Sequence, residues 1–461
     1  MRPLVIIFVL SFFIYSCGSS RRTPPSPRQP VPANVSYKMY EVKAGETFAS
    51  IAQKNAVTTQ QIRSANPGVR EPLKAGQKIR VPLSSTSPSE ISTLPDTVQP
   101  PIKPEDFIKE KYKIVILLPF KSQQHEDSSE EIEPATRMIL EFYEGALLAL
   151  DSLEELGFKA EVHVVDTDQS DKAVANFLTS KIADEADLII GPAYSSKVGL
   201  VEEFSRKNNK YLISPVTSSP DISKNNVNGF QFTPSVPTQI DLASKYIAEN
   251  FKAVNALIVY KDFIIETDLK NMYMKSLKAY GVEDVYSIVF KEAGNVELKN
   301  KLIAGRQNFI IIPSSDEAFV AGVYSDIITH SLDYDIAVMG LPTWESFETI
   351  DFGKLQNMQT YFFSTAQVNY ENYNTREVRR KFIKRWKTDP SVMGYQGYDV
   401  AFIFGKMLMD HGLNFQQQLT KLIYQPTQNG INWQQTDETT GFENRYVSIL
   451  RYKDYELKKL K

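Results

Sequence analysis

The sequence predicts an α/β protein in which a small mixed domain precedes two larger halves, each built around a parallel sheet. Three observations support this architecture. From residue 110 onward, short apolar runs alternate with amphipathic helical patterns, as expected for repeated βα units. The alternation starts again after Pro234, which indicates a second half and therefore two lobes with a cleft between them. Ahead of both, residues 37–82 show the order strand, helix, helix, strand.

Composition and charge narrow the classes of function. The chain has 461 residues, with 52 basic and 55 acidic side chains and a formal net charge of −3. This balance argues against a nucleic-acid-binding protein, because neutralising phosphates requires an excess of basic residues. The single cysteine excludes an intrachain disulfide, and the four histidines are scattered without ligand spacing. We therefore expect no metal site and no bound cofactor.

The N-terminal segment is predicted to be a signal peptide. An apolar run from Leu4 to Tyr15 follows a basic start and is too short to span a bilayer. The sequence around the lone cysteine, Ile14-Tyr15-Ser16-Cys17-Gly18, resembles the bacterial lipobox. The resemblance implies cleavage before Cys17 and acylation of that residue, which would anchor the chain to a membrane. Because no Asp follows Cys17, the resemblance favours the outer membrane, with the protein facing the periplasm.

Two low-complexity segments separate the parts that can fold. Residues 17–36 and 83–109 are rich in Pro together with Ser or Thr, and such segments cannot bury a core. We interpret the first as a tether and the second as a linker. The predicted organisation is a signal peptide at 1–16, the tether, a small domain at 37–82, the linker, and a large domain at 110–461.

The small domain carries a recognisable pattern. Residues 40–48 read YEVKAGETF, residues 62–68 read IRSANPG, and residues 79–82 read IRVP. The alternating apolar residues of the first and last segments predict strands, and the Asn-Pro-Gly sequence predicts the end of a helix. Thr47 and Asn66 are both placed to cap helices.

With this spacing kept throughout, residues 37–82 resemble the LysM domain. The resemblance implies binding of glycans that contain N-acetylglucosamine, which in a bacterial envelope means peptidoglycan. The family's shallow groove lies between the first turn and the loop after the second helix. The corresponding residues are Gly45, Glu46, Thr47, Phe48, Asn66, Pro67, Gly68 and Val69.

The large domain alternates strands and helices almost without interruption. Residues 112–120 are nearly all apolar, which suits a strand covered on both faces. Asp166 is expected to end the next strand and Asp168 to cap the helix after it, in preference to forming a catalytic carboxylate pair. Ligands of such sheets bind beyond the carboxyl ends of the strands. The strands are expected at 112–120, 160–165, 187–190, 230–234, 256–260, 309–313 and 336–340.

Three motifs identify a family resemblance. They are Ile189-Ile190-Gly191-Pro192 with Ser195-Ser196, Ile213-Ser214-Pro215 with Thr217-Ser218, and Tyr398-Asp399-Val400-Ala401. In this order and spacing the large domain resembles type I periplasmic binding proteins, particularly the branch that binds branched-chain amino acids. The resemblance implies a bilobal fold whose lobes close over a small solute.

The resemblance also implies how the solute would be held. In the family, hydroxyls and backbone amides of the first lobe bind a ligand carboxylate. The second lobe departs from the family, because Lys261-Asp262-Phe263-Ile264 replaces a Tyr-Gly pair and the nearest acid to the usual ammonium partner is Glu345. We therefore expect the carboxylate half-site to be kept and the ammonium half-site to be lost. The expected cleft residues are Phe120, Tyr194, Ser195, Ser196, Thr217, Ser218, Trp344 and Tyr398.

Catalysis is not expected, since the sequence has no nucleophile elbow, phosphate-binding glycine loop or zinc-binding His-Glu-x-x-His motif. The favoured hypothesis is a non-catalytic envelope lipoprotein that binds peptidoglycan and either a small solute or a protein partner. Two alternatives remain open. One is the receptor of an amino-acid-type ABC transporter, and the other is a lipoprotein activator of a peptidoglycan synthase.

Overall fold

The computed structural model describes residues 37–43, 46–55, 62–63, 65–66, 69, 72–82, 108–122, 132–291, 296–350, 352–428, 430–454 and 456–460. The signal peptide with Cys17, the tether and nearly all of the linker lie outside these residues. The chain divides into two compact units, one within residues 1–98 and one within residues 99–461.

The small unit is a two-stranded antiparallel sheet with helical segments between its strands. Its elements are β1 (Tyr37–Glu41), α1 (Phe48–Lys54) and β2 (Lys78–Pro82). Residues 62, 63 and 65 are also helical, so the order matches the predicted β-α-α-β pattern. Tyr37 pairs with Pro82 and Glu41 with Lys78. The buried apolar side chains that hold the unit together are Val42, Phe48, Ile51, Ile62, Ile79 and Val81.

The large unit begins with a run of parallel βα units. The elements of this first pass are β3 (Tyr112–Leu118), α2 (Pro134–Glu154), β4 (Ala160–Asp166), α3 (Asp171–Leu178), α4 (Lys181–Glu185), β5 (Leu188–Ile190), α5 (Ser195–Asn208), β6 (Tyr211–Ser214) and β7 (Gly229–Gln231).

The chain then crosses to a second lobe and repeats the pattern. The elements of this pass are α6 (Val236–Asn250), β8 (Asn255–Tyr260), α7 (Ile264–Ala279), β9 (Asp284–Val289), α8 (Val296–Lys301), β10 (Gln307–Ile311), α9 (Glu317–Ile328), β11 (Asp335–Gly340), α10 (Phe352–Asn357) and β12 (Thr360–Ser364).

The last part of the chain completes both lobes. It returns to the first lobe as α11 (Tyr373–Trp386), α12 (Val392–His411), α13 (Gln416–Leu419), β13 (Trp433–Gln435) and β14 (Phe442–Asn444), and ends in the second lobe as β15 (Ser448–Lys453) and β16 (Glu456–Lys459). The described residues therefore cross between lobes three times, at 232–235, 365–372 and 445–447.

Each lobe is organised around one sheet. Among the described residues, the first lobe has a seven-stranded sheet of order β13-β14-β7-β6-β5-β3-β4, and the second has one of order β16-β15-β12-β11-β10-β8-β9. The central strands of both are parallel, and antiparallel pairing occurs at β13–β14, β12–β15 and β15–β16. This confirms the predicted α/β bilobal fold.

Glycines let two long helices of the first lobe approach closely. A Cβ atom added at Gly397 of α12 would lie 1.8 Å from the carbonyl oxygen of Phe142 in α2. One added at Gly145 of α2 would lie 1.9 Å from the carbonyl oxygen of Gly394. The two helix backbones are therefore in direct contact, which fixes α12 against α2.

One local prediction is wrong. Asp168 has a positive φ of 45° and lies before the helix, whereas the N-cap of α3 is Ser170, whose hydroxyl accepts a hydrogen bond from the backbone N–H of Ala173. Asp166 ends β4, as predicted.

Candidate functional site

Glu46 organises the turn that precedes α1. Its carboxylate accepts hydrogen bonds from the Tyr40 hydroxyl at 2.9 Å, the Lys43 backbone N–H at 2.9 Å and the Lys54 ammonium at 2.6 Å. The bond from Lys54, followed by that from the Lys43 N–H, lowers the pKa of Glu46 to about 2. The carboxylate is thus engaged within the small unit and holds its first turn in place.

Asn66 fastens the second helical segment to β2. Its side-chain oxygen accepts a hydrogen bond from the Arg80 backbone N–H at 2.7 Å. Its Nδ2 donates to the carbonyl oxygens of Arg80 and Ile62, each at 2.7 Å. One amide thereby satisfies three backbone groups, a structural role that links the two halves of the small unit.

Thr47 caps α1, as its sequence position predicts. Its hydroxyl accepts a hydrogen bond from the Ser50 backbone N–H at 3.2 Å, and the Ser50 hydroxyl accepts one from the Thr47 N–H at 3.0 Å. This reciprocal exchange is a capping box.

The predicted glycan-binding residues fall into three groups. Thr47 is exposed and Val69 half-buried, so both can contact a ligand. Glu46, Phe48 and Asn66 are buried, with Phe48 only 1% exposed. The structure therefore gives these three a folding role in place of a direct glycan contact. Gly45, Pro67 and Gly68 lie outside the described residues.

In the first lobe, Asp166 shapes the loop that follows β3. It accepts hydrogen bonds from the backbone N–H groups of Phe120 at 2.9 Å and Ser122 at 2.8 Å, and from the Ser122 hydroxyl at 2.7 Å. Burial alone would raise the pKa of Asp166, but the Ser122 N–H and the other donors outweigh it and hold the pKa below its usual range. Asp166 thereby positions the half-buried Phe120 at the carboxyl edge of the sheet.

The turn between β5 and α5 presents a helix N-terminus at the same edge. Gly191 has φ of 116°, and a Cβ there would lie 2.1 Å from the Leu117 carbonyl oxygen, so the turn requires glycine. Ser195 begins α5, and the preceding residue, Tyr194, makes no side-chain cap. The first N–H groups of α5 therefore lack a side-chain acceptor from the N-cap. Ser196, in the first turn, is exposed.

Two glutamine side chains brace the neighbouring loop after β6. Gln231 Nε2 donates hydrogen bonds to the carbonyl oxygens of Thr217 and, at 2.8 Å, of Thr233. Gln396 Nε2, from α12, donates to the Thr233 hydroxyl at 3.0 Å and to the Pro215 carbonyl oxygen. Since both glutamines are buried, this brace fixes the backbone of the loop.

The braced loop carries Thr217 and Ser218. Both are half-buried. The Thr217 hydroxyl accepts a hydrogen bond from the Ser219 N–H at 3.2 Å, and the Ser218 carbonyl oxygen accepts one from the Val236 N–H at 3.0 Å. Within the described residues neither hydroxyl donates a hydrogen bond to protein. Because β5 and β6 are adjacent and parallel, these hydroxyls and the start of α5 share one edge of the sheet, where they could bind an anion.

In the second lobe the corresponding edge carries a fixed charge network. Glu266 accepts hydrogen bonds from the Lys261 backbone N–H and from the Ser314 hydroxyl, each at 2.7 Å. The Lys261 ammonium forms an ion pair with Asp316 and lowers the pKa of that carboxyl. Both carboxylates therefore already have partners within the lobe.

Trp344 and Tyr398 do not fit the cleft positions predicted for them. Trp344 is 2% exposed, packs edge-on against Phe362 and donates from Nε1 to the Ser314 carbonyl oxygen at 2.8 Å. Tyr398 is 5% exposed and stacks on Phe402. Large aromatic side chains contribute most to stability when buried, and we assign both residues a packing role. The Glu345 side chain and the Ser195 side chain lie outside the described atoms.

The described part of the chain offers neither a metal site nor a membrane-spanning helix. No group of three or more His, Cys, Asp or Glu side chains is arranged to hold a metal ion. No helix there has the length and apolar character needed to cross a membrane.

Comparison with known families matches both units. Residues 140–430 match the family model for periplasmic binding proteins, and residues 40–82 match that for the LysM domain.

Individual relatives are distant. The Leu/Ile/Val-binding protein BraC3 of Rhizobium johnstonii is 23% identical over 146 residues, which cover 31% of this chain and 40% of that protein. An ABC transporter substrate-binding protein from Desulfitobacterium hafniense is similar in structure, with a TM-score of 0.54, 16% identity, and coverage of 76% of this chain and 100% of that one. A putative branched-chain amino acid ABC transporter protein from Rhodospirillum rubrum gives a TM-score of 0.56 at 11% identity, with the same coverage. At these identities the structural likeness supports the fold alone.

Proposed function

The chain belongs to the periplasmic binding protein family, and we propose that it is a non-catalytic envelope lipoprotein. In this proposal residues 37–82 bind peptidoglycan, and acylated Cys17 anchors the chain in the outer membrane. The two lobes bind a small solute that bears a carboxylate. The observation that carries the proposal is the presence of a LysM domain and a periplasmic binding domain in one chain. A binding domain attached to the wall can capture a solute locally but cannot diffuse freely through the periplasm.

The carboxylate is inferred from the first lobe. The start of α5, the exposed Ser196, and the Thr217 and Ser218 hydroxyls, which donate to no described protein acceptor, lie at one sheet edge. A helix N-terminus favours negative charge, and hydroxyl donors add charge-assisted hydrogen bonds. The glutamine brace keeps the loop in place before a ligand arrives, which reduces the entropic cost of binding.

The second lobe argues against an α-amino acid as the solute. Glu266 has two donors from its own lobe, and Asp316 is paired with Lys261. Neither carboxylate is therefore an unpaired acid set aside for a ligand ammonium. We therefore propose a carboxylate solute that lacks a free α-ammonium group.

Ligand screening tests this part of the proposal. Thermal-shift measurements on the full chain would compare leucine and valine with simple carboxylates, short peptides and muropeptides. Each hydroxyl bonded to a carboxylate contributes about 1.5–3 kcal/mol, so Ser218→Ala should weaken binding by about tenfold or more. Ser331→Ala, an exposed serine of the second lobe, is the matched control and should bind normally.

The screen has two contrary outcomes. A strong shift with leucine or valine would replace our proposal with an amino acid receptor. The absence of a shift with any small molecule would refute solute capture and favour a protein partner.

Wall binding is tested separately by sedimentation with purified peptidoglycan. The chain without lipid should co-sediment, and the same chain lacking residues 37–82 should stay in the supernatant. Equal sedimentation of both would place the peptidoglycan-binding site in the large unit, for instance on the basic helix α11. It would contradict the function proposed for the LysM domain.

One alternative is supported by a specific observation. The relatives named above are described as a Leu/Ile/Val-binding protein and as ABC transporter components. This chain could therefore deliver its solute to an ABC transporter, with wall attachment as a positional aid. Co-purification of a membrane permease with the tagged full chain would support that role.

A further inference from the structure

A polar pocket lies at the connections between the lobes. It has a volume of about 760 Å³, within the range of about 300–1,000 Å³ typical of small-molecule sites. We call it the hinge pocket. Its walls are residues 367–369 and 371–373, from the second interlobe connection and the start of α11, and residues 424–426, 428, 430 and 431, from the loop before β13, with Tyr446 of the third connection and Lys459 of β16. None of the predicted cleft residues lines it.

Carboxamides dominate the polar lining of the hinge pocket. Gln367 is half-buried, and Asn369 and Gln425 are exposed. Within the described residues the Gln367 and Gln425 side chains make no hydrogen bond to protein, and Asn369 uses only its oxygen, which accepts from the Glu371 N–H at 3.1 Å. A carboxamide offers two donors and an oxygen acceptor. The pocket therefore presents several donors and acceptors that a ligand can use.

Two tyrosines supply flat apolar surface. Tyr446 is fixed, because its ring packs directly on Gly430, where a Cβ would lie 2.3 Å from the ring, and its hydroxyl accepts a hydrogen bond from the Lys459 ammonium at 3.0 Å. Tyr373, by contrast, is 71% exposed. It can cover a ligand without losing a contact it already makes.

The two walls are joined before any ligand binds. The Asn369 backbone N–H donates to the Thr427 carbonyl oxygen at 3.1 Å, and so does the Thr375 hydroxyl at 3.0 Å. Asn372 Nδ2 donates to the Pro426 carbonyl oxygen at 3.1 Å. A site assembled in this way loses little conformational entropy when it is filled.

We propose that the hinge pocket binds a sugar ring. Sugar hydroxyls both donate and accept, which matches carboxamide side chains, and the C–H face of a pyranose packs on a tyrosine ring. The lining has one cation, Lys459, and one carboxylate, Glu371, so it offers no net charge for a strongly charged ligand. The site lies in the large unit and is additional to the glycan binding proposed for residues 37–82. The sugar could be a free monosaccharide or a residue of a longer glycan, since the chemistry is the same.

Hydrogen–deuterium exchange of the full chain locates binding directly. The probes are N-acetylglucosamine and its soluble tetramer, each titrated to millimolar concentration. Protection of peptides that cover 367–373 and 424–431 is expected. Protection by the monosaccharide would identify a free sugar as the ligand, and protection by the tetramer alone would identify a longer glycan.

A variant pair tests whether the named side chains are responsible. The double variant Tyr373→Ala, Gln425→Ala removes two exposed side chains. It should raise the probe concentration needed for half-maximal protection at least tenfold and leave the melting temperature unchanged. Tyr370→Ala removes an exposed tyrosine three residues away that does not line the pocket and should leave protection intact. Protection confined to residues 37–82, no protection with either probe, or equal protection of the double variant would overturn the proposal.

Discussion

Asp399 is a buried carboxyl whose ionisation should make the stability of the large unit depend on pH. It is 1% exposed and accepts hydrogen bonds from the Thr427 backbone N–H at 2.9 Å, the Thr427 hydroxyl at 2.8 Å and the Gln428 backbone N–H at 3.2 Å. Burial raises its pKa from 3.8 to about 7, although the bonds from Thr427 and Gln428 act in the opposite direction.

The sign of the effect follows from proton uptake. The folded protein keeps the Asp399 proton up to about pH 7, whereas the unfolded chain loses it near pH 3.8. Stability from this group is therefore fully present below about pH 4 and is lost as the pH rises through about 7. At about 1.4 kcal/mol for each pH unit, this group should lower the free energy of unfolding by about 3 kcal/mol between pH 4.5 and pH 8.

Asp399→Asn isolates this contribution. Asparagine cannot ionise, and its NH2 group faces N–H donors, so the variant should be about 1–3 kcal/mol less stable than the wild type at pH 4.5. By pH 8 the variant should equal or exceed the wild type. Urea denaturation followed by tryptophan fluorescence measures both, because Trp344, Trp386 and Trp433 all belong to the large unit.

Asp268→Asn is the matched control, since Asp268 lies exposed on α7. The free energy of unfolding of this variant should follow that of the wild type at both pH values, because the replaced side chain is exposed. If the difference between wild type and Asp399→Asn is flat with pH, or grows in favour of the wild type above pH 7, then the hydrogen-bond donors outweigh burial and the reasoning is wrong.

Three further predictions concern packing, the small unit and the anchor. Gly397→Ala should destabilise the large unit by about 3 kcal/mol or more, because its Cβ would lie 1.8 Å from a backbone oxygen. The control Gly199→Ala lies in helix α5 with open space around it and should stabilise the large unit by about 0.5–1 kcal/mol. Calorimetry measures the stability of both variants. Asn66→Ala leaves backbone groups of Arg80 and Ile62 without partners and should destabilise the small unit by about 1–3 kcal/mol, seen as faster proteolysis within residues 37–82, and unchanged proteolysis would contradict this. Cys17→Ala should move the protein from the membrane to the soluble periplasmic fraction, since acylation is the proposed anchor; retention in membranes after wall digestion would count against it.

Much of the fold could be predicted from the sequence because its strands are apolar and its helices periodic. Residues 112–118, 160–166 and 255–260 form strands within two residues of the predicted bounds. The strands β13 and β14 were not predicted. Each has three residues, reading WQQ and FEN, and too few apolar residues to show a period. They form because β14 pairs with the distant strand β7 and β13 then pairs with β14.

Site residues were harder to predict than the fold because residue type does not reveal burial. Phe48 and Trp344 were expected to contact ligands, yet both fill hydrophobic cores. The bracing glutamines Gln231 and Gln396 were missed. The available signal was a polar residue inside an apolar segment, as in FQF at 230–232, which indicates a buried hydrogen-bonding role.

The Tyr398-Asp399-Val400-Ala401 motif serves the hinge and the lobe core. Tyr398 packs in the first lobe, and Asp399 holds the loop at 427–428 against α12. That same loop receives the Asn369 N–H from the second interlobe connection and forms one wall of the hinge pocket. The motif therefore connects the core of the first lobe to the second interlobe connection. Within the described part of the chain, the hydrogen bonds of the Asp399 side chain all come from residues 424–428, so we expect a change in its charge to act on the hinge pocket before it acts on the proposed carboxylate site.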